Sequence, residues 1–287
     1  IGSHTVVADG EGLGNIFFRG SDGDSYENAV AIRAFVDGTP GSSDMPGRLE
    51  FHTSADGSAT ALVRMIIDGN SRISLSNNDS NSGNTVFGKS AFNAGSDNGS
   101  DNNTAFGELA MGTGAVSSSL RNGAFGHRAL TDITSGSSNQ AFGYDAATSL
   151  TIGQFNAAFG TNALYSETIG DRTTAIGESA LYSQVSDSNN ETTGNVGVGF
   201  TASYYNITGQ NNTAVGYSAM IGVSGNSHSN NTAIGFEALK SITTGHSNVA
   251  IGAGAGDALV NGVSNVIIGK DAEANSTDGG NCIVIGA

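Results

Sequence analysis

Residues 212–220 read Asn-Thr-Ala-Val-Gly-Tyr-Ser-Ala-Met, and residues 231–239 read Asn-Thr-Ala-Ile-Gly-Phe-Glu-Ala-Leu. Both stretches carry asparagine, a small residue, a large apolar residue and glycine in a fixed frame, with alanine three residues after the glycine. Variants of this frame occur twelve times at intervals of 17 to 22 residues. A period this short suits one coil of a β-solenoid or β-roll, and it is too short for helical-pair repeats or propeller blades.

The large apolar residue directly before each motif glycine is aromatic or β-branched, which suits a pleated strand. The twelve structural pairs are Phe87-Gly88, Phe106-Gly107, Phe125-Gly126, Phe142-Gly143, Phe159-Gly160, Ile176-Gly177, Val198-Gly199, Val215-Gly216, Ile234-Gly235, Ile251-Gly252, Ile268-Gly269 and Ile285-Gly286. Neighbouring residues of a strand point to opposite faces, so this residue and the small residue before it face opposite sides. Neither face of the strand carries the polar residues that are typical of a face exposed to water. We therefore expect the strand to be covered on both sides, with other copies of the chain as the cover.

Two further columns follow from the same numbering. Asparagine stands four residues before the motif glycine in ten of the twelve repeats, and Thr173 and Cys282 are the exceptions. Turn chemistry is the interpretation we favour for this column, and a stacked ladder of amides is the alternative. A second glycine column, seven residues before the first and typified by Gly136 and Gly153, predicts a second corner, and hence two short strands and two turns per coil. The motif glycines themselves indicate a tight bend or a close backbone contact.

Residues 1–80 follow a different pattern. Asp-Gly pairs separate alternating apolar runs, and such pairs are a strong hairpin signal. The runs 15–18, 29–36, 48–53, 62–68 and 71–75 predict about five antiparallel strands. We therefore expect an all-β protein with an antiparallel module at 1–80 and a repetitive β-roll of about twelve coils at 81–287. Stacked at ~4.8 Å per strand, twelve coils make a rod on the order of 55 Å long.

Composition limits the function classes. Hydrophobic residues make up 37% of the 287 residues and charged residues 13%, so the core must be thin and extended. The formal net charge is −15, and the scattered basic residues form no footprint for nucleic acid. The single cysteine rules out an intrachain disulfide framework. No apolar stretch is long enough for a membrane helix, so we expect no membrane insertion in this segment.

The repeats at 212–220 and 231–239 resemble repeats of phage tail fibres and of the head of trimeric autotransporter adhesins of the YadA type. The segments 47–53 and 64–69 resemble the β module upstream of terminal repeats in phage tail fibres. The resemblance covers nearly the whole chain. It implies a homotrimer with a left-handed parallel β-roll, an adhesive or receptor-binding role toward a host glycan or protein, and a place in a virion or on a cell surface. Coils of 17 to 22 residues are longer than is usual for adhesin heads.

Candidate sites for chemistry are few. No histidine pair has metal-ligand spacing, and we expect no catalytic, cofactor-binding or metal site and no cofactor. Calcium binding at Asp97 and Asp101 is an alternative to plain turn solvation there. Six tyrosines are candidate surface contacts, because tyrosine arrays can stack on sugars, although packing along the repeat is the alternative we favour. They are Tyr144, Tyr165, Tyr182, Tyr204, Tyr205 and Tyr217.

Three functions are therefore compared. We expect a structural tail-fibre or surface-fibre segment, with the head of a bacterial trimeric adhesin as the runner-up. A β-solenoid enzyme acting on polysaccharide is the third, and it is disfavoured because such enzymes need clustered carboxylates in a groove. We also expect the chain to be part of a longer fibre protein, because it begins at Ile1 and ends in mid-coil.

Overall fold

The computed structural model describes residues 6–58, 60–67, 73–75, 83–92, 99–188, 191–273 and 278–286. Every secondary-structure element assigned within these residues is a β-strand, as the sequence predicts. The chain divides into two compact units, Ile1–Ser80 and Asn81–Ala287.

The first unit is a five-stranded antiparallel sheet in sequence order. Its strands are β1 (Gly12–Ser21), β2 (Tyr26–Val36), β3 (Gly47–Ser54), β4 (Ala61–Ile67) and β5 (Ile73–Leu75). The predicted hairpin turns are confirmed at Gly23 and Gly57, where φ is +107° and +76° and a residue with a Cβ would be strained. The predicted turn at Asp68 lies outside the described residues.

The second unit is a twelve-stranded, fully parallel sheet in which each strand pairs with the strands of the coils before and after it. Every described pairing is in register: Phe106 lies opposite Phe87 and Phe125, and Ile234 lies opposite Val215 and Ile251. The strands β6 to β17 are Thr85–Phe87, Thr104–Phe106, Gly123–Phe125, Gln140–Phe142, Ala157–Phe159, Thr174–Ile176, Val196–Val198, Thr213–Val215, Thr232–Ile234, Val249–Ile251, Val266–Ile268 and Ile283–Ile285. The twelve predicted coils are thus a β-solenoid with one three-residue strand each.

The core of the solenoid is a narrow column of small and medium side chains. The middle residue of each strand points inward, and Ala124, Ala158 and Ala233 are fully buried. A second inward pair follows the bend, as at Ala163 and Leu164. Alanine at the strand centre keeps the coil thin, and a leucine or methionine from the turn fills the remaining width.

The prediction of two strands per coil is wrong, because the second strand does not form in the described coils. At the second corner the structure shows only isolated parallel bridges in the described coils, such as Ser229 with His246 and His246 with Val263. The glycine column there has a packing reason instead. A Cβ built on Gly136 would lie 2.5 Å from the backbone oxygen of Gly153 in the next coil, so the coils approach too closely for a side chain.

The turn after each motif glycine alternates between ordinary and left-handed backbone. The second and fourth residues after the glycine have positive φ in most coils, as at Ser179 (+55°) and Leu181 (+50°). One coil places glycine at both positions, Gly254 and Gly256, with φ of +67° and +63°. The run 252–256 is therefore the same turn built with the residue that adopts this conformation without strain.

Candidate functional site: an exposed apolar stripe

The residues that precede the motif glycines form one continuous outer stripe along the solenoid. Because their inward neighbours are the buried residues of the strand centres, their own side chains point away from the core. Phe87 is 60% exposed, Ile234 40% and Ile285 73%. Within one chain the outer face of each strand is therefore open, and its expected cover by other copies of the chain stays a prediction. The stripe consists of Phe87, Phe106, Phe125, Phe142, Phe159, Ile176, Val198, Val215, Ile234, Ile251, Ile268 and Ile285.

The first five members of the outer stripe are a stack of phenylalanine rings. Successive ring centroids lie 5.2, 6.3, 4.5 and 4.7 Å apart, with interplanar angles between 5° and 18°. The spacing follows from the in-register parallel pairing, which places identical side chains one strand apart. From Ile176 onward the stripe is made of β-branched residues, so the same surface becomes narrower and aliphatic.

The outward positions of the twelve strands carry no charge. The residue two before each stripe member also points outward, and it is threonine, valine, isoleucine, glutamine, alanine or glycine, as in Thr213 and Val249. A flat, uncharged, β-branched and aromatic surface of this length is the kind of patch that marks an interaction site.

The motif glycines hold the edge of this surface by close backbone contact, as the sequence indicates. Gly143 has a φ of +147°, and a Cβ built on it would lie 2.5 Å from the backbone oxygen of Gly160. The chain therefore bends sharply after each stripe member, and the same bend is repeated directly above it in the next coil.

The asparagine column is a buried amide ladder, the alternative that the sequence left open. Nδ2 of Asn139 donates to Oδ1 of Asn122 (3.1 Å) and to the backbone oxygen of Gly153 (2.8 Å). Oδ1 of Asn139 accepts from the backbone N–H of Asn156 (2.9 Å) and from its Nδ2 (3.2 Å). The left-handed turn residue is the one before it, Ser138, with a φ of +61°. Each asparagine therefore stitches three coils together, and turn chemistry is carried by its neighbour.

The ladder is interrupted at Thr173, and the structure shows what replaces the missing amide. Thr173 still donates its backbone N–H to Oδ1 of Asn156 (2.9 Å), and its hydroxyl pairs with that of Thr193. In the next coil, Nδ2 of Asn195 donates to Oε1 of Gln184 (2.7 Å). Gln184 is buried in the coil interior, so its side-chain carbonyl takes the part of the absent asparagine.

The same part of the solenoid has a polar interior that the sequence did not reveal. Glu167 is fully buried, and its Oε1 accepts backbone N–H groups of Thr168 (2.9 Å), Gly170 (2.8 Å) and Ser186 (3.2 Å). The Ser186 hydroxyl donates to Oε2 (3.1 Å). The carboxylate thereby fixes the start of the longest repeat, whose residues 189 and 190 lie outside the described part. Backbone donors of this kind satisfy a buried carboxylate without a cation.

His228 is a buried titratable residue of a later coil. Its backbone oxygen accepts from Nδ2 of Asn212 (2.7 Å), and its Nε2 has no hydrogen-bond partner among the described residues. Burial lowers the pKa of His228 from 6.5 to about 4, because the protonated ring loses its hydration in the interior. The imidazole is therefore neutral at physiological pH.

The candidate tyrosines fall into two separate columns. Tyr165, Tyr182 and Tyr204 stack at 4.9 Å with nearly parallel rings, and Tyr205 meets Tyr204 edge-on at 4.7 Å. A sugar stacks on the face of a ring, but the faces of Tyr182 are occupied by its two neighbours. This geometry is packing along the repeat, the alternative favoured from the sequence.

Tyr144 and Tyr217 lie in the other column, directly after the motif glycines. Tyr144 stacks on His127 at 5.1 Å. Tyr217 lies between Phe200 (5.1 Å) and Phe236 (5.3 Å), and all three of these rings are exposed. This aromatic column was not predicted, although its signal is present in the sequence as an aromatic residue directly after the motif glycine in several coils. It runs beside the outer stripe, on the far side of the bend.

The described residues contain no group of three or more His, Cys, Asp or Glu side chains placed to hold a metal ion. Asp97, one of the two candidate calcium ligands, lies outside them. Within the same part of the chain, no helix is long and apolar enough to span a membrane.

Comparisons with known proteins add no relative. The sequence matches no protein-family model, and searches of curated proteins and of solved structures found no match to this chain.

Proposed function

We propose that the chain is a structural segment of a phage tail fibre or a similar surface fibre, assembled as a rod of three identical chains. The observation that carries the proposal is the exposed outer stripe, which runs without a charge from Phe87 to Ile285. Exposed apolar surface of this extent is costly in water and is stabilised by burial against another protein surface. A repeating surface is best matched by a partner with the same repeat, and another copy of this chain has it.

The interior supports a mechanical role. The inward alanines, the parallel backbone pairing and the asparagine ladder tie each coil to its neighbours. Between two adjacent coils, several hydrogen bonds share a load that acts along the stack. Each coil passes this load to the next, so each coil depends on its neighbours. The proposed function is therefore that of a fibre shaft, which keeps its two ends at a fixed distance and in a fixed direction.

The proposal includes attachment to a host surface through the turns. Identical turns recur along the rod and again on each copy of the chain, so weak contacts would add through avidity. We assign the chain no catalytic step and no cofactor, and we place it in a virion or at a cell surface. Degradation of host glycans by the purified protein would overturn the non-catalytic part of the proposal.

Light scattering on the purified chain tests the assembly. We expect a mass three times that of the 28.8 kDa chain. Phe125→Asp places a charge in the stacked apolar stripe and should dissociate the assembly, since burying an unpaired charge is costly. Ser135→Asp, in an exposed turn of the same repeat, should leave the mass unchanged. A folded, monomeric wild-type chain at all concentrations would refute the trimer.

A further inference from the structure

The N-terminal sheet has one face that is apolar from edge to edge. Strand pairing places Ile16 opposite Ile32, Ile32 opposite Phe51, and Phe51 opposite Met65. Directly opposite residues of an antiparallel pair share a face. We call this surface the apolar face, and it comprises Ile16, Phe18, Val30, Ile32, Ala34, Leu49, Phe51, Thr53, Leu62, Met65 and Ile67.

The opposite face of the same sheet carries Arg33, Arg48, Glu50 and His52. Glu50 accepts from Nε of Arg48 (2.7 Å) and lies 3.0 Å from Nε2 of His52. The guanidiniums of Arg19 and Arg33 lie over the ring of Phe17, 5.3 and 5.4 Å from its centroid. The two faces of the sheet therefore differ strongly in charge. Arg64 reaches the apolar face, where its Nε donates to the hydroxyl of Thr53 (3.0 Å).

No described residue of the first unit covers the apolar face. Ile16 is 57% exposed, Phe18 52% and Leu62 56%. A sheet that is apolar on one side is normally buried against a second layer. The described part of this unit is a single layer of five strands, so the apolar face has no second layer among these residues.

We propose that the apolar face is covered by the apolar faces of the other two copies of this chain. Four strands of about eight residues, spaced ~4.8 Å and rising ~3.3 Å per residue, give a face on the order of 500 Å². Three such faces together bury on the order of 1,500 Å², which reaches the size of a specific interface. Three such faces can meet around a three-fold axis, where each packs its side chains against the other two.

The chemistry favours further copies of this chain over other occupants. A flat, predominantly apolar surface is complementary to itself, and the single guanidinium of Arg64 bonded to Thr53 gives little charge pattern by which a polar partner would be selected. A chain of net charge −15 is repelled by anionic lipid surfaces. The inference rests on the proposed function in that both require copies of this chain to associate, but it concerns a different surface from the outer stripe.

Thiol labelling of the full chain tests the proposal, because Phe17 and Phe18 are neighbours on opposite faces of β1. Each is replaced by cysteine in a Cys282→Ser background, and a maleimide reagent is added to the purified protein. In a lone chain the exposures, 40% for Phe17 and 52% for Phe18, predict that the two cysteines react alike. In the proposed interface the Phe18→Cys thiol reacts roughly tenfold or more slowly, because labelling waits for the interface to open.

A second site guards against a variant that fails to fold. Leu62→Cys lies on the apolar face in β4, so it should be protected together with Phe18→Cys. Circular dichroism establishes that each variant retains the β-sheet of the parent. Equal labelling of Phe17→Cys, Phe18→Cys and Leu62→Cys in an associated, folded protein overturns the proposal and leaves the trimeric rod standing.

The opposite failure is also distinguishable. If Phe125→Asp leaves the mass of the assembly unchanged, while Phe18→Cys and Leu62→Cys remain protected, the apolar face is supported and the outer stripe is not the interface. A wild-type chain that is monomeric, with all three thiols reactive, overturns both.

Discussion

Replacing one asparagine of the buried ladder isolates its contribution to the solenoid. Asn139→Leu keeps a branched side chain of similar shape but removes the amide. Four hydrogen bonds are lost: two from Nδ2, to Asn122 and Gly153, and two to Oδ1, both from Asn156. The backbone oxygen of Gly153 and the backbone N–H of Asn156 are left without these partners in a buried place.

The expected cost follows from these two orphaned groups. A buried donor or acceptor that loses its partner costs about 1–3 kcal/mol, so the variant should be about 2–6 kcal/mol less stable. The nearest coils should suffer most, because contacts in a solenoid reach only neighbouring repeats.

Guanidinium denaturation, followed by circular dichroism, measures the change, and hydrogen exchange locates it. Exchange should accelerate in the coils of Asn122, Asn139 and Asn156 and stay unchanged near Asn248. The matched control is Asn226→Leu, in a turn where the side chain makes one long hydrogen bond of 3.4 Å to Val223. If both variants lose the same small free energy, the ladder does not stabilise the fold and the reasoning is wrong.

Three further changes have defined outcomes. Gly143→Ala should destabilise the solenoid by more than Gly225→Ala in chemical denaturation, because both have positive φ but only the Cβ at 143 meets backbone; equal losses would count against the close contact. Ser179→Gly should stabilise by about 1 kcal/mol, since glycine adopts the φ of +55° without strain, and Ser183→Gly, where φ is not left-handed, should not stabilise. Lowering the pH from 6.5 to 4 should cost about 3 kcal/mol through His228, because the unfolded chain binds a proton at its ordinary pKa and the buried ring, with its pKa lowered to about 4, does not. That stability is complete above pH 6.5, and a denaturation profile that His228→Leu leaves unaltered between pH 6.5 and 4 would contradict it.

The strands of both units could be predicted because their signals are local. The Asp-Gly pairs and alternating runs predicted the strands of the first unit to within a few residues, and the small-large-glycine frame predicted each strand of the second. Thr213–Val215 and Thr232–Ile234 lie where the frame places them. Because the same three-residue frame recurs twelve times, only one pairing register places the small, large and glycine positions of successive strands opposite one another.

Such reasoning could not show that the second strand fails to form in the described coils, or that part of the interior is polar. The backbone near the second corner is too irregular for a ladder, and only bridges such as His246 with Val263 remain. Glu167 and Gln184 are polar residues in an unremarkable stretch of sequence. Their burial depends on donors and acceptors supplied by other coils, which sequence spacing alone does not identify.

By itself the sequence determined that the chain repeats, where each strand lies, and that large and small residues take opposite faces, because strand periodicity needs only the order of residues. The tertiary structure decided which face is inside. A coil with alanine inward can stack at one strand spacing around a narrow core, so the phenylalanines and isoleucines are left on the surface. The same stacking turned the asparagine column into a ladder, since an amide can bridge coils only when the neighbouring amide lies directly above it.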